Sequence, residues 1–145
     1  MRVELERRFP SVSIVDAEAA VDRFNAFLSG RYAWAVSGIS WPSEGHLERV
    51  HTHIDLTKTI SEMMRRHPVF SDKVSVFFAD ATDDIVATGA RDDVLALMQF
   101  VETWDDVLVT EFWVFDQRSG ACVEAYHEGY ITLSLPFLPK EPTSA

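Results

Sequence analysis

The last third of the chain reads as three strands joined by two tight turns, and this leaves little choice of fold. Residues 107–116 lead to a turn at Gln117-Arg118-Ser119-Gly120. Residues 121–127 then lead to a turn near Gly129, and Tyr130–Leu135 is closed by Pro136. A three-stranded meander must be covered on at least one face. The 47% apolar and 12% aromatic residues supply the cover. The 145 residues are expected to form one domain over 1–138, with 139–145 as a flexible tail.

The preceding elements follow from periodicity. Val3, Leu5, Arg7 and Phe9 alternate with charged neighbours, which predicts a strand closed by Pro10. Asp16 opens a helix with Ala20, Val21, Phe24, Phe27 and Leu28 on one face and Gly30 at its end. Residues 32–41 are expected as a strand. A further strand carries Val50, Thr52, Ile54 and Leu56 on one face, with Arg49, His51, His53 and Asp55 on the other. Thr59 and Glu62 have capping-box spacing for a second helix that stops near Pro68. Lys73–Ala79 reads as a strand, 84–87 as a short one, and 91–104 as a helix with Asp92-Asp93 in its first turn. The expected fold is therefore α+β with a mainly antiparallel sheet. Its element order is βαββαβ, the ferredoxin-like order, followed by a helix and the C-terminal meander.

Charge is unevenly placed. Residues 72–128 hold 13 of the 23 carboxylates against three cations, Lys73, Arg91 and Arg118, so this segment carries the whole net charge of −10. Such a field attracts basic surfaces and opposes binding to nucleic acid and anionic lipid. The lone cysteine, Cys122, excludes an internal disulfide and a cysteine zinc site, and it fits a reducing compartment. No run of 18 apolar residues and no signal-peptide pattern is present, so a cytoplasmic protein without a membrane span is expected. Dinucleotide-binding, phosphate-loop, zincin and nucleophile-elbow motifs are all missing from the sequence, and no cofactor is expected.

Two constellations stand out. A four-residue turn at 117–120 sets Trp113 opposite Glu124 and Glu111 opposite Tyr126, placing all four on one sheet face. Phe112 and Val114 then share the other face with Val123 and Ala125. If the second loop is three residues long (Glu128, Gly129, Tyr130), Thr132 and Ser134 join the polar-aromatic face. Aromatic anchors among carboxylates suit a contact surface for a basic protein. Glu111, Trp113, Glu124 and Tyr126, with the loop acids Asp105 and Asp106, are its expected partner-binding residues. The second constellation is His51-Thr52-His53-Ile54-Asp55. Here two histidines at i, i+2, with Asp55, form a weak candidate metal set, and Ser37 and Ala35 would stand opposite His51 and His53.

The expected function is an acidic interaction module that neutralises or chaperones a basic partner such as a toxin or nuclease. Toxin-immunity proteins work by this logic, and the likeness is one of charge and size. The alternatives are a small-molecule-binding or enzymatic domain with a pocket on the C-terminal sheet, and a dimerising structural protein. A closed cavity there with a buried carboxylate would favour the pocket, and an open face would count against it.

Overall fold

Alternate residues of the central strands fill two separate cores, one on each face of the sheet. The computed structural model describes residues 1–35, 38–42, 45–79, 83–104, 109 and 111–135. The chain runs α1 (Arg2–Arg8), β1 (Ser13–Asp16), α2 (Ala17–Leu28), β2 (Ala33–Trp34), β3 (Ile39–Ser40), β4 (His46–His51) and α3 (Leu56–Arg65). It continues through β5 (Lys73–Ala79), β6 (Asp84–Ala90), α4 (Arg91–Glu102), β7 (Phe112–Phe115), β8 (Cys122–Ala125) and β9 (Tyr130–Leu135). Seven strands form one antiparallel sheet in the order β1-β6-β5-β7-β8-β9-β4, and β2 and β3 form a small hairpin of their own. This is an α+β domain.

The first core lies between the sheet and three helices. Leu5 of α1, Ile60, Met63 and Met64 of α3, and Val94, Leu97, Met98 and Val101 of α4 pack on Val76, Phe78, Phe112, Val114, Val123 and Leu133. The second core lies under α2 and the hairpin. Phe24 and Phe27 meet Phe77, Trp113 and Phe115, and Phe24 stacks on Phe77 at 4.6 Å. Covering both faces explains why every residue of β7 and β8 is buried.

Several expectations give way. The segment expected as a strand over 3–9 is helix α1. Leu5 and Phe9 are also at helical spacing, and Glu4 pairs with Arg7 and Arg8, each at 2.6 Å, one helical turn on. Residues 32–41 do not make one strand: Ala33 pairs with Ser40 and Trp34 with Ile39. The strand expected through Leu56 stops at His51. Thr52 Oγ1 donates to Ile54 O (2.9 Å), and Asp55 takes a left-handed φ of 52°, which turns the chain into α3. Ile54 is accordingly 73% exposed rather than half-buried. No capping box starts α3; the Glu102 carboxylate from α4 accepts from the N–H groups of Leu56 and Thr57 instead.

The ferredoxin-like grouping is not formed either, since β1 lies at one edge of the sheet and β4 at the other. By contrast β5 stands as expected and the antiparallel meander forms, while β6 runs on to Ala90 beyond the expected 87 and α4 ends at Glu102 rather than at 104. The tail at 139–145 lies outside the described residues. Among those residues, no helix is long and apolar enough to cross a membrane.

Candidate functional site

Glu124 is the centre of the site. In β8 it faces α2 and the hairpin, directly across from Trp113 of β7 and Thr132 of β9. The four-residue turn puts it there: Asp116 N–H donates to Ala121 O (2.9 Å), Gly120 N–H to Asp116 O (2.8 Å), and Gly120 has φ +80°. Glu124 Oε2 accepts from Trp113 Nε1 at 2.7 Å and from the Ile39 N–H at 2.8 Å. The hairpin backbone must come very close to make the second bond. A Cβ on Gly38 would lie only 3.0 Å from Oε2, so glycine suits this position.

Burial pushes the Glu124 carboxyl above the usual range. The two N–H donors and the Arg49 charge pull the other way, while the Glu111 charge adds to the rise. Arg49 comes from β4, where it pairs with Thr132. Its Nε donates to Thr132 Oγ1 at 3.1 Å, and its guanidinium lies 5.5 Å from the Tyr130 ring centre. Together these groups line a cleft of about 400 Å³ with Trp41, Tyr126, Tyr130 and Glu128 at its walls and Glu124 and Thr132 in its floor.

The predicted Trp113–Glu124 register is present, and Glu111, Trp113, Glu124 and Tyr126 do lie in one neighbourhood. They do not form an open face. Trp113 and Glu124 are each 5% exposed: Phe24 and Trp34 pack on the indole, and the Ile39 N–H of the hairpin donates to Glu124. Glu111 turns to His127, whose Nδ1 lies 2.6 Å from its Oε1, and the His127 ring packs on Tyr126 at 4.2 Å. His127 belongs to a loop rather than a strand. The second loop is three residues long, but it comprises His127, Glu128 and Gly129, because Tyr126 N–H donates to Tyr130 O. Gly129 then takes the third loop position with φ +92°, where a left-handed residue is wanted. The one-residue offset leaves the two faces unmixed, so Thr132 and Ser134 stand on the Glu124 side as expected. Asp105 and Asp106 lie outside the described residues.

The proposed pairing around the histidines is not found. β4 pairs with β9, so Ala35 is not opposite His53, and Ser37 lies outside the described residues. His51 and His53 meet edge to face at 5.2 Å, but with Asp55 they form no group of converging ligand atoms. Arg49, Trp41 and Tyr130 entered the site unforeseen. Period-two alternation set Arg49 apart from Val50, but the long-range pairing of β4 with β9 left no local trace. Cys122 is fully buried beside Glu124, and burial pushes its thiol well up, so it is a packing group rather than a nucleophile. Compared with known proteins, the chain matches no protein-family model and no curated sequence significantly.

Proposed function

We propose that the cleft over β8 and β9 binds a small, flat molecule carrying an amine or other cationic donor. One observation carries this reading: a buried carboxylate, Glu124, is held in fixed orientation at the floor of a cleft of about 400 Å³ with aromatic walls. That volume lies in the range of about 300–1,000 Å³ usual for ligand sites, and a few fixed polar groups among aromatics are the usual lining. Glu124 and Glu128 outnumber Arg49, whose guanidinium already engages Thr132 and Tyr130, so the cleft favours a positive group. Trp41, Tyr126 and Tyr130 supply the aromatic part of the lining for the same ligand.

The test is titration with tyramine, tryptamine and benzamidine, using phenylacetate as the acidic control and NMR shifts of the Trp41 indole N–H as the readout. Saturable shifts with the amines alone, lost in Glu124→Gln, support the reading. Equal response to phenylacetate, or amine binding unchanged in Glu124→Gln, overturns it.

A second reading keeps the acidic interaction module and is favoured by the charge of −10 together with Tyr126 and Glu128 in the cleft lining and Glu111 beside them on His127. In it, the cation entering the cleft is a Lys or Arg side chain of a basic protein such as a nuclease toxin. It predicts that Glu111→Lys and Glu128→Lys weaken capture of that protein, with a salt-dependent on-rate. The ligand reading predicts saturable amine binding with no protein partner at all. Burial of Trp113 removes the expected aromatic anchor and ranks this reading second.

A further inference from the structure

On the opposite face of β4, away from the cleft, three metal-ligating side chains converge. His46 and Glu48 are two apart on β4 and so share a face, the one that β4 continues from Leu133 and Leu135 of β9 toward α3. His67 follows the C-terminal end of α3, where its N–H donates to Met64 O at 3.0 Å. Glu48 Oε1 lies 3.2 Å from His46 Nε2 and 3.0 Å from His67 Nε2, and all three ligand atoms fall within 4.8 Å of one another. A tetrahedral zinc with bonds of about 2.0–2.1 Å places neighbouring donors about 3.3 Å apart. The two measured separations are close to that edge, so small side-chain adjustments would admit the ion.

We propose that His46, Glu48 and His67 form a zinc site that ties the edge strand β4 to the end of α3. Two imidazoles and one carboxylate are a donor set suited to Zn²⁺, and a three-residue set leaves the fourth position to water. Glu48 is already arranged as a one-oxygen ligand. Its Oε1 faces both histidines, while its Oε2 faces the Arg66 guanidinium at 3.5 Å. An outer partner on the non-ligating oxygen is the usual way to hold a carboxylate in place. The benefit falls on an edge strand, β4, five of whose six residues are exposed.

The experiment is calorimetric titration of the chelator-treated full chain with Zn²⁺ alone, repeated with Co²⁺ for its tetrahedral absorption bands. One-to-one binding is expected, with Zn²⁺ raising the melting temperature. His46→Ala and His67→Ala should each weaken binding at least about tenfold, the lower bound for changes even in outer-shell partners. The double variant His51→Ala/His53→Ala should bind as the wild type does. Circular dichroism with EDTA checks that each variant is folded, and Glu48→Gln supplies a further ligand deletion should a histidine variant fail. Absence of saturable binding overturns the site. So does binding that survives ligand deletion in a folded variant, or that is lost with His51 and His53 instead.

Discussion

Trp113 and Glu124 face each other across β7 and β8, and the indole Nε1–H, with Phe24 and Trp34 packed on its ring, donates to Glu124 Oε2 at 2.7 Å. This bond makes a buried carboxylate tenable. Burial disfavours the charge, and each N–H aimed at Oε2 recovers part of the lost hydration. It also orients the carboxylate toward the cleft without using Arg49, which remains on the wall. Ligand recognition and core packing therefore share one side chain.

Trp113→Phe keeps most of the apolar area and removes the donor. The variant is expected to lose about 1–3 kcal/mol of stability, the usual cost of leaving a buried charged acceptor short of a partner. In a Glu124→Gln background the same substitution should cost less, and the difference measures the coupling. Urea unfolding of the four proteins reads it directly. Equal costs in both backgrounds would show that the bond contributes nothing.

Glu124 also sets a pH dependence. Its folded pKa is raised, chiefly by burial, above the ordinary value of 4.5, so the folded protein binds this proton more tightly than the unfolded chain does. The resulting stability is fully present below the ordinary value and is lost as pH rises through the folded pKa. Glu124→Gln keeps the acceptor oxygen and does not titrate. Its stability relative to wild type is therefore expected to improve as pH rises from about 4 to 7. Chemical denaturation across that range tests this; a difference that is flat, or that moves in favour of wild type, would contradict it.

The sheet centre was legible because local signals agreed there. Alternation in β7 and β8, a four-residue turn ending at Gly120 and a β-rich run in β5 all point to one register. The segment that became α1 satisfied both periods, since Leu5 and Phe9 fit a strand's alternation and a helix's i, i+4 step alike. The Arg2–Glu6, Glu4–Arg7 and Glu4–Arg8 spacings favoured the helix. The cleft was half legible. Glu124, Tyr126 and Thr132 follow from the meander, whereas Arg49 and Trp41 arrive through a β4–β9 pairing and a hairpin that join distant segments. The His46, Glu48 and His67 cluster escaped for the same reason, because a strand residue and a helix-end residue meet only after β4 has docked on β9.

Asp116 gives the opposite pH behaviour. It is 1% exposed, and Ser71 N–H (2.6 Å), Ser71 Oγ (2.8 Å), Arg118 N–H (2.9 Å) and Ser119 N–H (3.4 Å) all donate to it. Burial alone would raise its pKa, but these donors outweigh burial and hold it below the ordinary 3.8. Its stabilisation is present above that value and is lost as pH falls through the folded pKa. Asp116→Asn is expected to cost about 2 kcal/mol at neutral pH, in line with hydrogen bonds to charged groups, and less near pH 3. Urea melts at the two pH values decide it, and a cost that grows on acidification would refute the assignment.

The start of α3 carries two neighbouring groups with opposite expected effects. Asp55 makes no side-chain cap, and no acidic residue lies in the first turn, so Glu102 of α4 caps the helix by accepting from Leu56 N–H (2.8 Å) and Thr57 N–H (2.9 Å). Glu102→Ala should cost about 1–2 kcal/mol, the upper part of the range for a lost cap, because it removes both bonds that link α4 to the start of α3. One residue along, Thr57 Oγ1 is buried with no hydrogen-bond partner among the described residues, in a residue only 4% exposed. Thr57→Val keeps the shape and removes the stranded hydroxyl, so a gain of about 1 kcal/mol is expected. Thermal and urea unfolding of each variant gives both signs. A destabilised Thr57→Val would mean that the hydroxyl is satisfied, and an unchanged Glu102→Ala would mean that the helix start is held by packing alone.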